Sequence, residues 1–161
     1  MGTFQIKGGI PLKGEIKPQG AKNECLQILC AVLLTSEEVL VNNIPDIIDV
    51  NKLISLLKSL GVKIKLLSPG SYSFKADQIN LDYLSSEKYK SEGKELRGSI
   101  MLVGPLLTRY GKGSIPRPGG DKIGRRRLDT HFQGLISLGG KFNYDKDDRF
   151  YTIAAKNLFG T

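Results

Sequence analysis

Apolar residues recur along the chain with two alternating periods. In residues 22–34 (KNECLQILCAVLL) and in 46–61 (DIIDVNKLISLLKSLG) they return every three or four positions, the spacing of one helix face. The second of these is the clearest amphipathic helix, and Gly61 stops it. Between them EVLVNNI (38–44) is β-like, and VKIKLLSPGSYSFKA (62–76) predicts two strands around a Pro-Gly turn. The same order returns in the second half. ELRGSIMLVGPLLTRYG (95–111) predicts a helix, GKGSIP (111–116) a strand, RRLDTHFQGLISLGG (126–140) a helix with a similar stop, and KFNYDKDDRFYTIAA (141–155) paired strands around a polar turn.

Shared tags mark the correspondence: LLT at 33–35 and 106–108, IP at 44–45 and 115–116, SLG at 59–61 and 137–139, with offsets of 73, 71 and 78. Matches in a common order point to a duplicated αβ unit, against chance likeness between two ordinary units. NLDYLSSEKYKSEGKEL (80–96) is polar, has no strong period and reads as a linker with one helical turn. Residues 1–20 contribute short strand-like pieces, and 156–161 trail off without a terminating element. Because stacked repeats need neighbours to cover their open faces, the pattern predicts a piece of a larger chain.

Composition adds charge to this picture. The chain has 161 residues, long enough for a sizeable core, with 24 basic against 16 acidic residues, a net charge of +8 and a pI near 9.5. Such a surplus suits an anionic partner: nucleic acid, a membrane surface or a phosphorylated metabolite; a merely basic surface is the plain alternative. No apolar run reaches the roughly 18 residues of a membrane helix. The start, MGTFQIKGG, lacks the apolar core of a secretory signal, and Ile6 breaks the myristoylation pattern, so a cytoplasmic location without membrane attachment is expected. Cys25 and Cys30 fall on one predicted helix, roughly 9 Å apart between Cα atoms and too far for an unstrained disulfide; they read as small buried side chains.

Two strand-to-helix junctions could carry chemistry. In PQGAKNE (18–24), Gly20 permits a tight turn and Lys22-Asn23 opens a helix whose free amides and positive end favour an anion, to which Lys22 adds a mobile charge. An exposed lysine beside an ordinary turn is the plainer reading. In RPGGDKIGRRRLDTH (117–131), one carboxylate, Asp121, lies between a glycine pair and the arginines Arg125, Arg126 and Arg127. Arginines bind phosphate and carboxylate in bidentate fashion. Asp129 could accept sugar hydroxyls or cap the following helix, and His131, alone, reads as a packing or capping residue. No aromatic residues interleave with the basic cluster, which argues against nucleic acid.

Four stretches carry a resemblance: GGIPLKGEIKPQGAKNE, IPDIIDV with the LKSLGV helix end, LRGSIMLVGPLL, and PGGDKIGRRRLDTHFQGL. Through them the chain resembles the N-terminal part of the UDP-N-acetylglucosamine 1-carboxyvinyltransferases, enolpyruvyl transferases of the first committed step of peptidoglycan synthesis. The resemblance implies an α/β (α+β) fold, an inside-out α/β barrel of βαβαββ repeats. About two of the three repeats of one domain would be present, at 22–76 and 97–155 with the linker 80–96. Residues 1–21 would supply strands of a second domain, and 22–161 an incomplete catalytic domain, inactive alone.

The reaction implied is transfer of enolpyruvate from phosphoenolpyruvate to the 3-hydroxyl of UDP-N-acetylglucosamine, with release of phosphate and no metal or organic cofactor. By position, Lys22 and Asn23 would contact phosphoenolpyruvate. Arg97 and the segment Arg126, Arg127, Leu128, Asp129 and Thr130 would hold the nucleotide sugar and the shared anionic centre, with His131 a further candidate. Asp121 occupies the mobile-loop position where most members carry cysteine and would be the proton donor, leaving the chain insensitive to the epoxide fosfomycin. Arg127 stands where a proline is usual and Met101 where a tryptophan is usual. The alternative from another class is a stand-alone anion- or nucleic-acid-binding module; the sequence leaves the oligomeric state open.

Overall fold

The structure, a computed structural model, describes residues 3–117 and 127–160. The first unit runs α1 (Lys22–Ala31), a 3-10 turn (Val32–Leu34), β1 (Glu38–Val41), α2 (Ile48–Ser59), β2 (Lys63–Ser68) and β3 (Ser71–Lys75). A connecting stretch follows: a 3-10 turn (Leu81–Ser85), α3 (Glu87–Glu95) and a longer 3-10 turn (Arg97–Leu102). The second unit is α4 (Val103–Tyr110), β4 (Lys112–Pro116), α5 (Asp129–Ser137), β5 (Lys141–Asp145) and β6 (Phe150–Ala154).

Each unit forms a three-stranded antiparallel sheet with the last strand in the middle, β1-β3-β2 and β4-β6-β5. The registers correspond. Lys75 pairs with Glu38 and Lys63, while Ala154 pairs with Lys112 and Lys141. The outer strands are therefore offset by 74 (38 to 112) on one side and 78 (63 to 141) on the other. The SLG tag shares the offset of 78 and has a physical basis. Gly61 and Gly139 both take left-handed φ angles, 102° and 100°, and close the helix ends with the same pair of bonds. Gly61 N–H donates to Lys58 O and Val62 N–H to Leu57 O; Gly139 N–H donates to Ile136 O and Gly140 N–H to Leu135 O. The IP tag, at 71, falls three residues out of register, because Val41 and not Ile44 corresponds to Ile115; that match is coincidental.

Helices of the two units pack on one another, α1 against α2 and the 97–102 turn, and α4 against the 32–34 turn. One side of α2 buries Val50, Leu53, Leu56 and Leu57 at helical spacing, each at 1% exposure or less. Such burial contributes about 1.5–3 kcal/mol per side chain relative to exposure. Helix α4 lies between the two cores. Leu102 and Leu106 belong to the first, and Val103 and Leu107 to the second with Ile115, Phe132 and Ile153. At its C-terminal end Arg109 donates to Leu33 O (2.9 Å) and Thr35 O (2.7 Å), tying the second unit to carbonyls of the 3-10 turn after α1 and its C-cap.

Two sequence expectations are corrected. Residues 80–96 are not a linker. Asn80 Oδ1 accepts from Asp82 and Tyr83 N–H, Ser86 Oγ caps α3 through Tyr89 N–H, and Leu84, Tyr89 and Leu96 are buried in the first core. The expected single helix over 95–111 is a 3-10 turn followed by α4, because Pro105 has no N–H for the Met101 carbonyl and is tolerated only in a helix's first turn. Residues 3–20 form neither helix nor strand, and Phe4, Ile6, Leu12 and Ile16 are each at least 90% exposed. A strand exists only when a neighbour pairs with it, and none is present here. The tail after β6 is anchored, since Phe159 N–H donates to Leu138 O as Asn80 N–H does to Leu60 O. Cys25 and Cys30 are buried free thiols, and burial pushes the Cys30 thiol up. Among the described residues no helix is long and apolar enough to cross a membrane.

Tyr89 is fully buried and its hydroxyl donates to Ser114 O at 2.6 Å, which ties α3 to β4. Tyr89→Phe leaves that carbonyl without its donor and should lower unfolding free energy by about 1–3 kcal/mol. Urea denaturation followed by circular dichroism measures this; an unchanged midpoint contradicts the assignment.

Candidate active site

The approach to α1 is set by a contact with the turn after β1. A Cβ on Gly20 would lie 2.0 Å from the Asn43 carbonyl oxygen and 3.2 Å from Pro45. Its φ is not left-handed, so glycine is required by close approach rather than by the tight turn expected from sequence. Asn43 itself adopts φ 59°, a conformation that asparagine tolerates better than most residues. Ala21 then begins α1 with no side-chain cap, leaving the first-turn amides and their positive partial charge accessible to an anion.

Lys22 and Asn23, in that first turn, share a cleft of about 470 Å³ with Arg97, which opens the 97–102 turn. The structure thus brings Lys22 and Asn23 together with Arg97, more than 70 positions away. It adds three that sequence reasoning missed. Lys22 Nζ is 2.8 Å from Asp49 Oδ2 in the first turn of α2. Lys52 Nζ, one turn further along α2, is 2.8 Å from Glu95 Oε2 at the end of α3. The spacing of Asp49 and Lys52 on one helix face was readable. Their partners, 27 and 43 positions away, were not.

Among the described residues the cleft therefore holds three cations and two carboxylates, and each carboxylate is engaged by a lysine. The hydrogen bond from Lys52 holds the Glu95 carboxyl below the usual glutamate range. Both pairs are well exposed, with side-chain exposures of 46% and 41% for Lys22 and Asp49 and 42% and 60% for Lys52 and Glu95. Pairs of this kind contribute about 0–1 kcal/mol, so an anionic ligand can take a lysine from its carboxylate at small cost.

Thr130 and His131 lie on a second, more apolar cleft of about 600 Å³ between the start of α4 and α5. Both are exposed, and this cleft shares Ile100 and Met101 with the first. Leu128 packs against the second core and is the residue before α5; it has no side-chain cap. Asp129 is the first helical residue rather than the cap expected as one option. Its carboxylate takes a two-point contact from Arg127, Nε to Oδ1 at 3.0 Å and to Oδ2 at 2.9 Å, with Nη2 also on Oδ2. Asp121 and Arg126 lie outside the described residues.

The family profile described as EPSP synthase (3-phosphoshikimate 1-carboxyvinyltransferase) matches residues 6–160. Among curated proteins, the UDP-N-acetylglucosamine 1-carboxyvinyltransferase of Bacteroides fragilis is 56% identical over 161 residues, covering 100% of this chain and 37% of the relative. The protein of the same name from Porphyromonas gingivalis is 53% identical over the same span and the same shares. The chain thus spans 37% of the length of these relatives. Among solved structures, the enolpyruvyl transferase NikO from Streptomyces tendae superposes with a TM-score of 0.74 at 18% identity, covering 94% of this chain and 32% of that one. An EPSP synthase from Acinetobacter baumannii gives a TM-score of 0.61 at 14% identity, covering 92% and 33%. At these identities the structural matches establish the fold alone.

The Lys52–Glu95 contact has a measurable signature. The folded pKa of Glu95 is depressed, so the stabilisation from this pair is present above the ordinary glutamate pKa and is lost as pH falls through the lower folded value. Carbon-13 NMR titration should place Glu95 below an ordinary glutamate, and Lys52→Met should raise it. A Glu95 midpoint indifferent to Lys52→Met contradicts the pairing.

Proposed function

The chain belongs to the EPSP synthase family, and on that premise we propose that it forms the N-terminal part of an enzyme transferring enolpyruvate from phosphoenolpyruvate to the 3-hydroxyl of UDP-N-acetylglucosamine. The observation that carries this choice of acceptor is the 56% identity, over the whole chain, to a relative bearing that activity in its name. The reaction is the first committed step of peptidoglycan synthesis and takes place in the cytoplasm. Residues 22–161 belong to the catalytic domain. The exposed apolar residues of 3–21 pair with strands of a second domain supplied by the rest of the chain.

In this reading phosphoenolpyruvate sits at the α1 N-terminus, where the amides and Lys22 balance its charge and Asn23 orients it. The 3-hydroxyl oxygen gives up its proton and attacks C2 while another proton is added to the C3 methylene, giving a tetrahedral phospholactoyl adduct. Loss of phosphate and of a proton from the new methyl group restores the double bond. Arg97 and the segment Arg126, Arg127, Leu128, Asp129 and Thr130 hold the nucleotide sugar beside that centre, with His131 at its edge. Met101, shared by both clefts, fills the place of the usual tryptophan.

Asp121 delivers the proton. An ordinary aspartate is ionised at neutral pH, whereas the thiol it replaces is largely protonated. Bound phosphate and carboxylate offset the surrounding basic charge, and exclusion of water disfavours the ionised form, so Asp121 becomes an acid only with substrates in place.

The full-length protein tests this reading. Phosphate release should require both substrates, and Asp121→Asn should lower kcat by about 10²–10⁴-fold. Asp121→Cys should retain turnover and gain a covalent fosfomycin adduct by mass spectrometry, while the unaltered protein stays unmodified. Phosphate release independent of UDP-N-acetylglucosamine, or an adduct on Asp121, overturns the proposal.

A further inference from the structure

The cleft contains one more cation than the proposed chemistry assigns. Lys52 projects from the same face of α2 as Asp49, one helical turn on, and lines the cleft that holds Lys22 and Arg97. It is held 2.8 Å from Glu95, which ends α3 two residues before Arg97. Three separate elements, α1, α2 and the 97–102 turn, therefore each contribute one cation to a single cavity. Among the described residues, the two carboxylates there, Asp49 and Glu95, engage the two lysines and leave the lining with a net charge of +1.

That arrangement suits an empty site that must later accept a multiply charged anion. Three unpaired cations around one cavity would repel one another. The pairing with Asp49 and Glu95 relieves that repulsion without burying either pair, so each contact remains exchangeable. The Lys52–Glu95 pair also joins α2 to α3 across the cavity wall, so its exchange opens a link between two helices.

We propose that Lys52 is a second phosphate-binding lysine of this cleft, and that Glu95 is a positioning residue that competes with the ligand for it. The ligand class is a phosphorylated small acid, and the inference rests on the function proposed above. An incoming dianion replaces the Glu95 carboxylate at Lys52 as it engages Lys22. Glu95 thus weakens ligand affinity, and does so through Lys52.

A double-mutant cycle on the full-length protein decides this, using phosphoenolpyruvate and inorganic phosphate as probes in isothermal calorimetry and phosphoenolpyruvate in steady-state kinetics. Lys52→Met should weaken binding and raise the KM for phosphoenolpyruvate about 3- to 10-fold, and Lys52→Arg should recover most of the loss. Glu95→Gln should tighten binding about 2- to 5-fold, and that gain should vanish in the Lys52→Met background. A gain from Glu95→Gln that persists without Lys52 overturns the proposal, because Glu95 would then act by direct repulsion of the ligand. Unchanged affinity in Lys52→Met also overturns it. Calorimetry with the two anions does not depend on turnover. If phosphate and phosphoenolpyruvate bind with this pattern but UDP-N-acetylglucosamine is not converted, the function proposed above fails while the role of Lys52 stands.

Discussion

The site depends on how closely α1 and the 97–102 turn can approach. Arg97 reaches the cleft of Lys22 only because this turn packs on α1, where a Cβ on Gly98 would already lie 3.2 Å from Leu26 Cδ1. The turn in turn is held by α4, which buries Leu106 in one core and Leu107 in the other and anchors Arg109 on the carbonyls of Leu33 and Thr35. Two separate hydrophobic cores thus fix one interhelical distance, and that distance sets the charge density of the cleft. Packed interiors resist small displacements, so the constraint is stiff.

Against that rigid frame the charged groups are arranged to be exchangeable. Lys22 and Lys52 rest on carboxylates in half-exposed pairs, and the α1 amides have no side-chain cap. A deeply buried ion pair would cost several kcal/mol to part; these cost about 1 kcal/mol or less. The energetic design is a fixed scaffold with loosely held charges, which suits successive capture and release of anions. The adjoining cleft, bounded by Met101 and Leu135, is by contrast lined mainly by apolar surface.

Much of the fold was legible because its signals are local. The three- to four-residue period of α2 and the αL glycine after it were both readable, and Gly61 and Gly139 close their helices with the same bonds. Helix α3 escaped notice because only one narrow stripe, Tyr89 with Gly93, is buried and the rest is charged or polar. The likeness of Ile44-Pro45 to Ile115-Pro116 misled, since a shared dipeptide carries no register. In the site, Lys22 with Asn23 could be named from helix-start chemistry, whereas Lys52 and Glu95 are joined only by tertiary packing. Gly20 was noticed for the wrong physical reason: what excludes a side chain there is the Asn43 carbonyl, far along the chain.

The most direct measurement is a crystal structure of the full-length protein with phosphoenolpyruvate and UDP-N-acetylglucosamine bound. The account predicts the phosphorylated acid on Lys22 and Asn23 at the start of α1, and the nucleotide sugar against Arg97 in the same cleft, reaching Thr130 in the adjoining one. Either ligand seated away from that cleft, with the first-turn amides of α1 left to solvent, contradicts it.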